Sequence, residues 1–234
     1  MSSRTYYDPL HQSITLNSLL PEEKMVMELI DSSPFQRLRR IKQLGPAFLT
    51  FHGAESSRFT HSLGVFHLAR RAINHLSEFN SRLKDHKFIL YGAALLHDLG
   101  HGPLSHTSEE IFKINHEKWT GKVINSNREI NHILNKYGDG NAKAIADLIQ
   151  SRYAPEKSII SLISSQLDCD RLDYLMRDSY TTGARYGQLD IDRIISAMVI
   201  APDGDLAIHP KGLMAVEHYL VIRNLMYRSV YNHR

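Results

Sequence analysis

"LLHDLGHGPLSH", residues 95–106, decides how this chain is read. A greasy run ends in His97-Asp98, a glycine turn follows, and histidines return at 101 and 106. Apolar helices rarely finish in so many ionisable groups, because a buried charge without a partner costs several kcal/mol. Two readings compete at this point: a polar helix end facing water, or one wall of a metal site.

The neighbouring segments bear on that choice. "HKFILYGAALLHDLG" (86–100) is apolar nearly all round, which predicts a buried central helix ending in His97 and Asp98. "SSRFTHSLGVFHLARRAINHLSEF" (56–79) sets Val65, Leu68 and Ala72 at the 3.6-residue spacing of an amphipathic helix. His61, four residues before Val65 and seven before Leu68, falls on that apolar face. "SIISLISSQLDCDRLDYLMRDSYTTG" (158–183) predicts one long helix with Gly183 past its end, and Asp170 lies inward with Leu167 and Ile163.

His61, His97, Asp98 and Asp170 therefore point into the core from three helices. Each alone has a plainer explanation. A lone inward histidine is ordinarily a hydrogen-bonded core residue, His97-Asp98 fits a helix-terminal ion pair, and Asp170 fits pairing with Arg171 or Arg177. Together, a mixed nitrogen and oxygen set suits one divalent transition metal: Fe, Mn, Zn, Ni or Co.

The rest of the chain reads as mainly α with one or two small β-hairpins. Residues 5–20 carry a proline, polar alternation and β-branched residues, the pattern of a short strand or hairpin. Residues 22–44 read as two helices broken at Ser32-Ser33-Pro34, with Ser33 as N-cap, Pro34 at the first helical position and Gly45-Pro46 as terminator. One or two helices are expected over 107–137, and another over 141–151 that stops near Pro155. Asp203-Gly204 between two apolar runs predicts a hairpin over 198–212, and a last helical segment runs to the end without a cap.

Composition excludes several classes. Hydrophobic residues make up 42% and charged residues 23%, ordinary for a globular protein. No apolar run approaches the roughly 20 residues needed to cross a bilayer, and the N-terminus lacks a signal-peptide core. Cys169 is the single cysteine, so a reducing cytoplasm is expected. The net charge of +3 is spread out, with no basic stripe or aromatic platform for nucleic acid. Histidine, at 14 residues, is the outlier.

These residues also carry a resemblance. "RFTHSLGV" (58–65), "LLHDLGHGPLSH", "HE" at 116–117 and "LDCDRLDYLMRDS" (167–179) resemble the HD-domain metal-dependent phosphohydrolases. The likeness is narrower to the deoxynucleoside triphosphate triphosphohydrolase branch, the sterile-alpha-motif and HD-domain type. "FQRLRRIKQLG" (35–45) and "RNLMYRSVYNHR" (223–234) extend it from about Asp8 to the last residue.

The resemblance implies that one HD phosphohydrolase domain spans residues 1–234 and binds its ion through His61, His97, Asp98 and Asp170. It implies attack of a metal-bound water on the α-phosphorus of a deoxynucleoside triphosphate, releasing deoxynucleoside and inorganic triphosphate, with Mg accompanying the phosphates. His101, His106 and His116 match histidines near the scissile phosphate; His106 or His116 would be the general acid, and Glu117 would orient His116. Arg58, three residues before His61, shares its helical face as a candidate phosphate contact, and Arg171 and Arg223 match phosphate-contacting positions; Gln43 and Leu44 match residues lining sugar and base. Tyr174 and Asp178, each a further helical turn beyond Asp170, would face the deoxyribose and its 3′-hydroxyl, with Tyr231 in the same pocket. Asp31, Gln36 and Arg39 match a regulatory nucleotide site of tetrameric relatives, so a homo-oligomer, dimer or tetramer, is expected. Their plainer reading is a helix start with an exposed charged face.

The chain departs from the pattern in three ways. The segment between His106 and His116 is short, no sterile-alpha-motif domain precedes the core, and the sequence stops where the family continues, which leaves a C-terminal truncation, a fragment or a naturally short relative open. Two other functions stay open: an HD phosphatase or phosphodiesterase acting on another nucleotide, and a nucleotide-binding regulatory module with an idle HD core.

Overall fold

The chain opens with an antiparallel hairpin, β1 (Ser3–Asp8) and β2 (Gln12–Asn17), in register from Ser3 opposite Asn17 to Asp8 opposite Gln12. Ile14 and Leu16, alternate residues of β2, are buried beneath it, as a period of two requires. The computed structural model describes residues 2–153, 156–186 and 188–232.

Helices α1 (Pro21–Asp31) and α2 (Ser33–Gln36) follow, with 3-10 turns at Arg37–Arg40 and Gly45–Leu49. The break at 32–34 is where the sequence puts it, but Ser32 rather than Ser33 occupies the N-cap position. Its hydroxyl donates back to the Leu29 carbonyl at 2.6 Å instead of capping. The second helix also stops well short of residue 44. Ile41 is extended, and the backbone from Ile41 to Gln43 bonds the strand entering the next helix: Arg58 N to Ile41 O at 2.8 Å and Gln43 N to Ser56 O at 2.9 Å. Tertiary pairing thus overrides helix propensity here and carries Gln43 beside Arg58.

Helix α3 (Arg58–Phe79), capped by Ser57, packs on α4 (Lys87–Leu96), whose residues from Ile89 to Leu96 are all buried. Beyond the glycine turn come α5 (His106–Phe112), α6 (His116–Ser126) and α7 (Arg128–Lys136), three helices where one or two are predicted. The extra breaks are local: left-handed Lys113 ends α5, Asn115 caps α6, and Asn127 accepts from the Glu129 and Ile130 amides to start α7. Helix α8 (Asn141–Ile149) follows; the stop expected near Pro155 lies outside the described residues.

The single helix predicted over 158–183 is two, α9 (Lys157–Ile163) and α10 (Cys169–Thr182). Asp168 divides them: its carboxylate accepts from the Arg171 amide at 2.8 Å and the Ser165 amide at 3.0 Å, so α10 begins on a cap. Gly183, at φ +76°, ends α10 as expected. Helix α11 (Ile191–Ser196) leads into the second hairpin, β3 (Met198–Ile200) and β4 (Leu206–Ile208), turning at Gly204. Helix α12 (Leu213–Met226) closes the described chain and runs into a π-helical turn over Tyr227–Tyr231. The architecture is mainly α with two small hairpins, and among the described residues no helix is long and apolar enough to cross a membrane. Helices α3, α4 and α10 share one core, so the ends of three elements meet at one point.

Candidate functional site

Helix α4 ends inside the protein, and the turn after it is fixed from two sides. Gly100 N donates to Thr120 Oγ1 at 2.8 Å, while that hydroxyl donates to the His97 carbonyl at 2.9 Å. A Cβ on Gly100 would lie 2.4 Å from the His116 carbonyl oxygen, so only glycine lets α6 approach this closely. From the other side, Arg37 donates to the carbonyls of Leu99 at 2.6 Å and His101 at 3.0 Å. The turn therefore presents His97, Asp98 and His101 from a fixed backbone.

His61 Nε2 lies 3.3 Å from His97 Nε2 and 2.9 Å from Asp170 Oδ1, and these three ligand atoms form one compact group. Both imidazoles are locked. His61 donates Nδ1–H to Asp173 at 2.8 Å and His97 donates Nδ1–H to the Ala94 carbonyl at 2.9 Å, leaving Nε2 of each as a lone-pair donor aimed at the same point. Burial opposes charge on His61, yet its bonds to Asp170 and Asp173 outweigh it and raise the ring to about 10, so the cage favours positive charge at Nε2. Asp98 stands beside both rings, Oδ1 3.4 Å from His97 Nε2 and Oδ2 3.7 Å from His61 Nε2. Its Oδ2 also accepts from Arg58 at 2.6 Å; burial opposes its charge, but Arg58 and the histidines hold the carboxyl well below its ordinary range. Two imidazole nitrogens and ionised carboxylates converging in a buried site fit a divalent transition cation.

A second group of ligand-type side chains adjoins the first. His101, buried, stacks on His116 with ring centroids 4.0 Å apart, and His106 meets His101 edge-on at 4.9 Å. Glu109 Oε1 gathers them: 2.8 Å from His116 Nδ1, 3.1 Å from His106 Nδ1 and 3.5 Å from His101 Nδ1. The carboxylate on His116 is thus Glu109, not Glu117. Glu117 instead lines a cavity of about 90 Å³ with His97, His116, Asp168 and Asp170. Glu109 and His116 stand on different helices, separated by the break at left-handed Lys113, so no helical period signals the pairing.

The larger cavity, about 440 Å³, opens beside Asp170. Gln43, Leu44, Arg58, His106, Arg171, Tyr174, Asp178 and Tyr231 line it, together with Tyr227 from the π-helical turn. Two of its buried acceptors, Gln43 Oε1 and Asp178 Oδ1, have no hydrogen-bond partner among the described residues. Asp178 Oδ2 accepts from Tyr231 at 2.9 Å, and burial pushes this carboxyl up to about 7. Tyr174 meets Tyr231 edge-on, with centroids 5.9 Å apart.

The other expected residues are placed less directly. Arg58 is buried against Asp98, Ser105 and the Gln43 carbonyl, which makes it the partner of Asp98 as well as a wall of the cavity. Arg171 donates to the Ser165 carbonyl at 2.8 Å and stands between the two cavities. Arg223 is not among the cavity's lining residues; it donates to the Gln166 side chain at 3.0 Å and lies over the Tyr227 ring. Asp31, Gln36 and Arg39 sit apart from the cavity and already have partners: Arg4 bonds Asp31, Gln36 bonds the Ile30 carbonyl and Arg39, and Arg39 covers Phe59. Arg177 pairs with Asp173 and Asp8 rather than with Asp170.

The HD domain model matches residues 58–176 and the HD associated region matches residues 189–234. The uncharacterised protein YwfO of Bacillus subtilis is 43% identical over 98% of this chain and 52% of its own length. A Dictyostelium discoideum protein, deoxynucleoside triphosphate triphosphohydrolase SAMHD1 homolog, is 32% identical over 89% of this chain and 43% of its own. Among solved structures, a phosphohydrolase of Bacteroides thetaiotaomicron superposes with a TM-score of 0.82 at 34% identity, covering 99% of this chain and 55% of that one. The chain thus spans about half the length of the curated relatives it matches.

Proposed function

The chain belongs to the HD-domain family, whose members bind divalent metals, and from that premise we propose that it hydrolyses deoxynucleoside triphosphates to deoxynucleoside and inorganic triphosphate. The observation that carries the reading is the 440 Å³ cavity, whose wall brings Asp170, Arg58 and Arg171 together with two acceptors, Gln43 Oε1 and Asp178 Oδ1, that have no hydrogen-bond partner among the described residues. That volume lies within the usual range for a small-molecule site. A ligand entering it meets both guanidinium groups and acceptors that lack a donor, so it needs negative charge and hydroxyl or amine donors in one molecule, as a nucleotide has.

In this reading a divalent cation held by His61, His97, Asp98 and Asp170 supplies Lewis acidity to a phosphate oxygen and to the attacking water. Arg171, on the cavity wall beside Asp170, contributes positive charge toward the phosphates. Arg58 holds Asp98 ionised and oriented through their 2.6 Å bond. His106 faces the cavity with Nδ1 tied to Glu109 and Nε2 left to transfer a proton at the departing 5′-oxygen. His116, tied to the same Glu109 oxygen, fixes that carboxylate in place. At the far end Asp178 Oδ1 accepts from the 3′-hydroxyl, and Tyr174, braced by Tyr231, packs against the sugar where a 2′-hydroxyl would stand.

The test is a product assay with purified protein, Mn²⁺ and a panel of ribo- and deoxynucleotides. Deoxynucleoside plus inorganic triphosphate is the expected outcome. A nucleoside monophosphate product, or preference for another nucleotide, would replace this reading with that of a different HD phosphatase or phosphodiesterase.

A further inference from the structure

The metal-centre end of α10 carries a second carboxylate three residues beyond Asp170, and its surroundings are unusual. Asp173 is fully buried and accepts from His61 Nδ1 at 2.8 Å, His11 Nε2 at 2.6 Å, and Arg177 Nε and NH2 at 2.8 and 3.0 Å. Arg177 continues to Asp8 Oδ2 at 2.9 Å, while Asp8 Oδ1 accepts from the amides of Leu10 and His11 and so closes the turn of the first hairpin. A Cβ on Gly64 would stand 1.9 Å from Asp173 Oδ1, so α3 clears space for this carboxylate one turn after His61.

We infer that Asp173, steadied by His11 of the N-terminal hairpin, is the positioning residue of the metal centre, fixing the His61 ring so that Nε2 faces the cation. The imidazole is gripped at both ends by α10: Asp170 at Nε2 and Asp173 at Nδ1. At His97, by contrast, the partner of Nδ1 is a backbone carbonyl, that of Ala94. Without Asp173 the His61 ring keeps no bond at Nδ1 and is free to turn about its last torsion. Without His11, Asp173 loses its shortest bond and the hairpin its direct link to the site. The inference rests on the proposed ligation by His61.

Metal affinity of the metal-stripped full chain, titrated with Mn²⁺ against a competing chelator and without nucleotide, is the test. His11→Ala and Asp173→Asn should weaken binding by about 10–100-fold, the usual effect of losing an outer partner of a ligating histidine. His11→Gln, which keeps a donor at that position, should recover most of the affinity. Arg70→Met is the control, because Arg70 anchors the other strand of the hairpin at Thr15 O and never meets Asp173; its affinity should match the unaltered chain. Undiminished affinity in His11→Ala and Asp173→Asn, or an equal loss in Arg70→Met, overturns the inference. His61→Ala, run alongside, separates the two layers: unchanged affinity there discards the ligand set itself, whatever the substrate.

Discussion

His61 and Asp170 meet at 2.9 Å across 109 residues of sequence, one on α3 and the other on α10. With His97 they make a cage built from the ends and faces of three helices, so the site exists only when those helices are packed together. His61 and His97 are buried side chains and Asp170 stands at the cavity wall, so chemistry and stability are coupled there.

Removing a ligand should therefore separate two effects of the ion. Asp170→Ala should lower turnover by more than about 100-fold, beyond the loss typical of outer partners. Chelation should lower the melting temperature of the unaltered chain by mass action, because an ion that binds only the folded state stabilises it. In Asp170→Ala, chelator should shift melting little. Calorimetry with and without chelator, beside elemental analysis, checks both.

Glu109→Gln should reduce kcat by about 100-fold, the lower end of proton-transfer contributions, with metal content unchanged. Glu117→Gln should change kcat by no more than a few-fold, because His116 takes its bond from Glu109. Steady-state rates for the two variants decide which carboxylate serves the histidines.

Asp178 carries a pH signature. Its folded carboxyl is pushed up to about 7 from an ordinary 3.8, so the protonated form favours the folded state. That stability is fully present below about pH 4 and is lost as pH rises toward 7. Asp178→Asn removes the charge, so it should be more stable than the unaltered chain at pH 8, by up to about 4 kcal/mol, with no advantage at pH 4. The same change converts an acceptor into a donor and should raise KM for a 3′-hydroxyl substrate by about tenfold or more. Denaturant melts at the two pH values and a KM measurement check it.

Gly100→Ala should cost about 1–3 kcal/mol, since its methyl group would meet the backbone of α6. Thr120→Val should cost about 1–3 kcal/mol through the unpaired Gly100 amide and lost bond to the His97 carbonyl. Both variants should also weaken metal binding, as the turn carries His97 and Asp98. Chemical denaturation and the chelator titration read the two effects separately.

What a period can reveal was legible in the sequence. Val65, Leu68 and Ala72 oriented α3, and that orientation put His61 inward; the apolar run before His97 called for a buried helix, and α4 is one. Where local capping decides, reading was less sure: Asp168 splits a segment whose hydrophobic pattern is continuous, and Asn115 and Asn127 divide another. Gln43 reached the cavity wall because its backbone pairs with Ser56, a bond that no helical pattern announces.

The sequence by itself determined the helical class, the two hairpins and the inward direction of His61, His97 and Asp98, because each follows from spacing along one element; the spacing that points Asp170 inward runs across the break at Asp168, and Asp170 stands half-buried on a separate helix. Tertiary structure alone decided the pairings: Glu109 on His116, Arg58 on Asp98, Arg223 on Gln166, and His11 on Asp173. Those bonds join different elements, one of them across 162 residues, and their partners are chosen by how helices pack. Periodicity fixes the face on which a side chain stands; packing fixes what it meets.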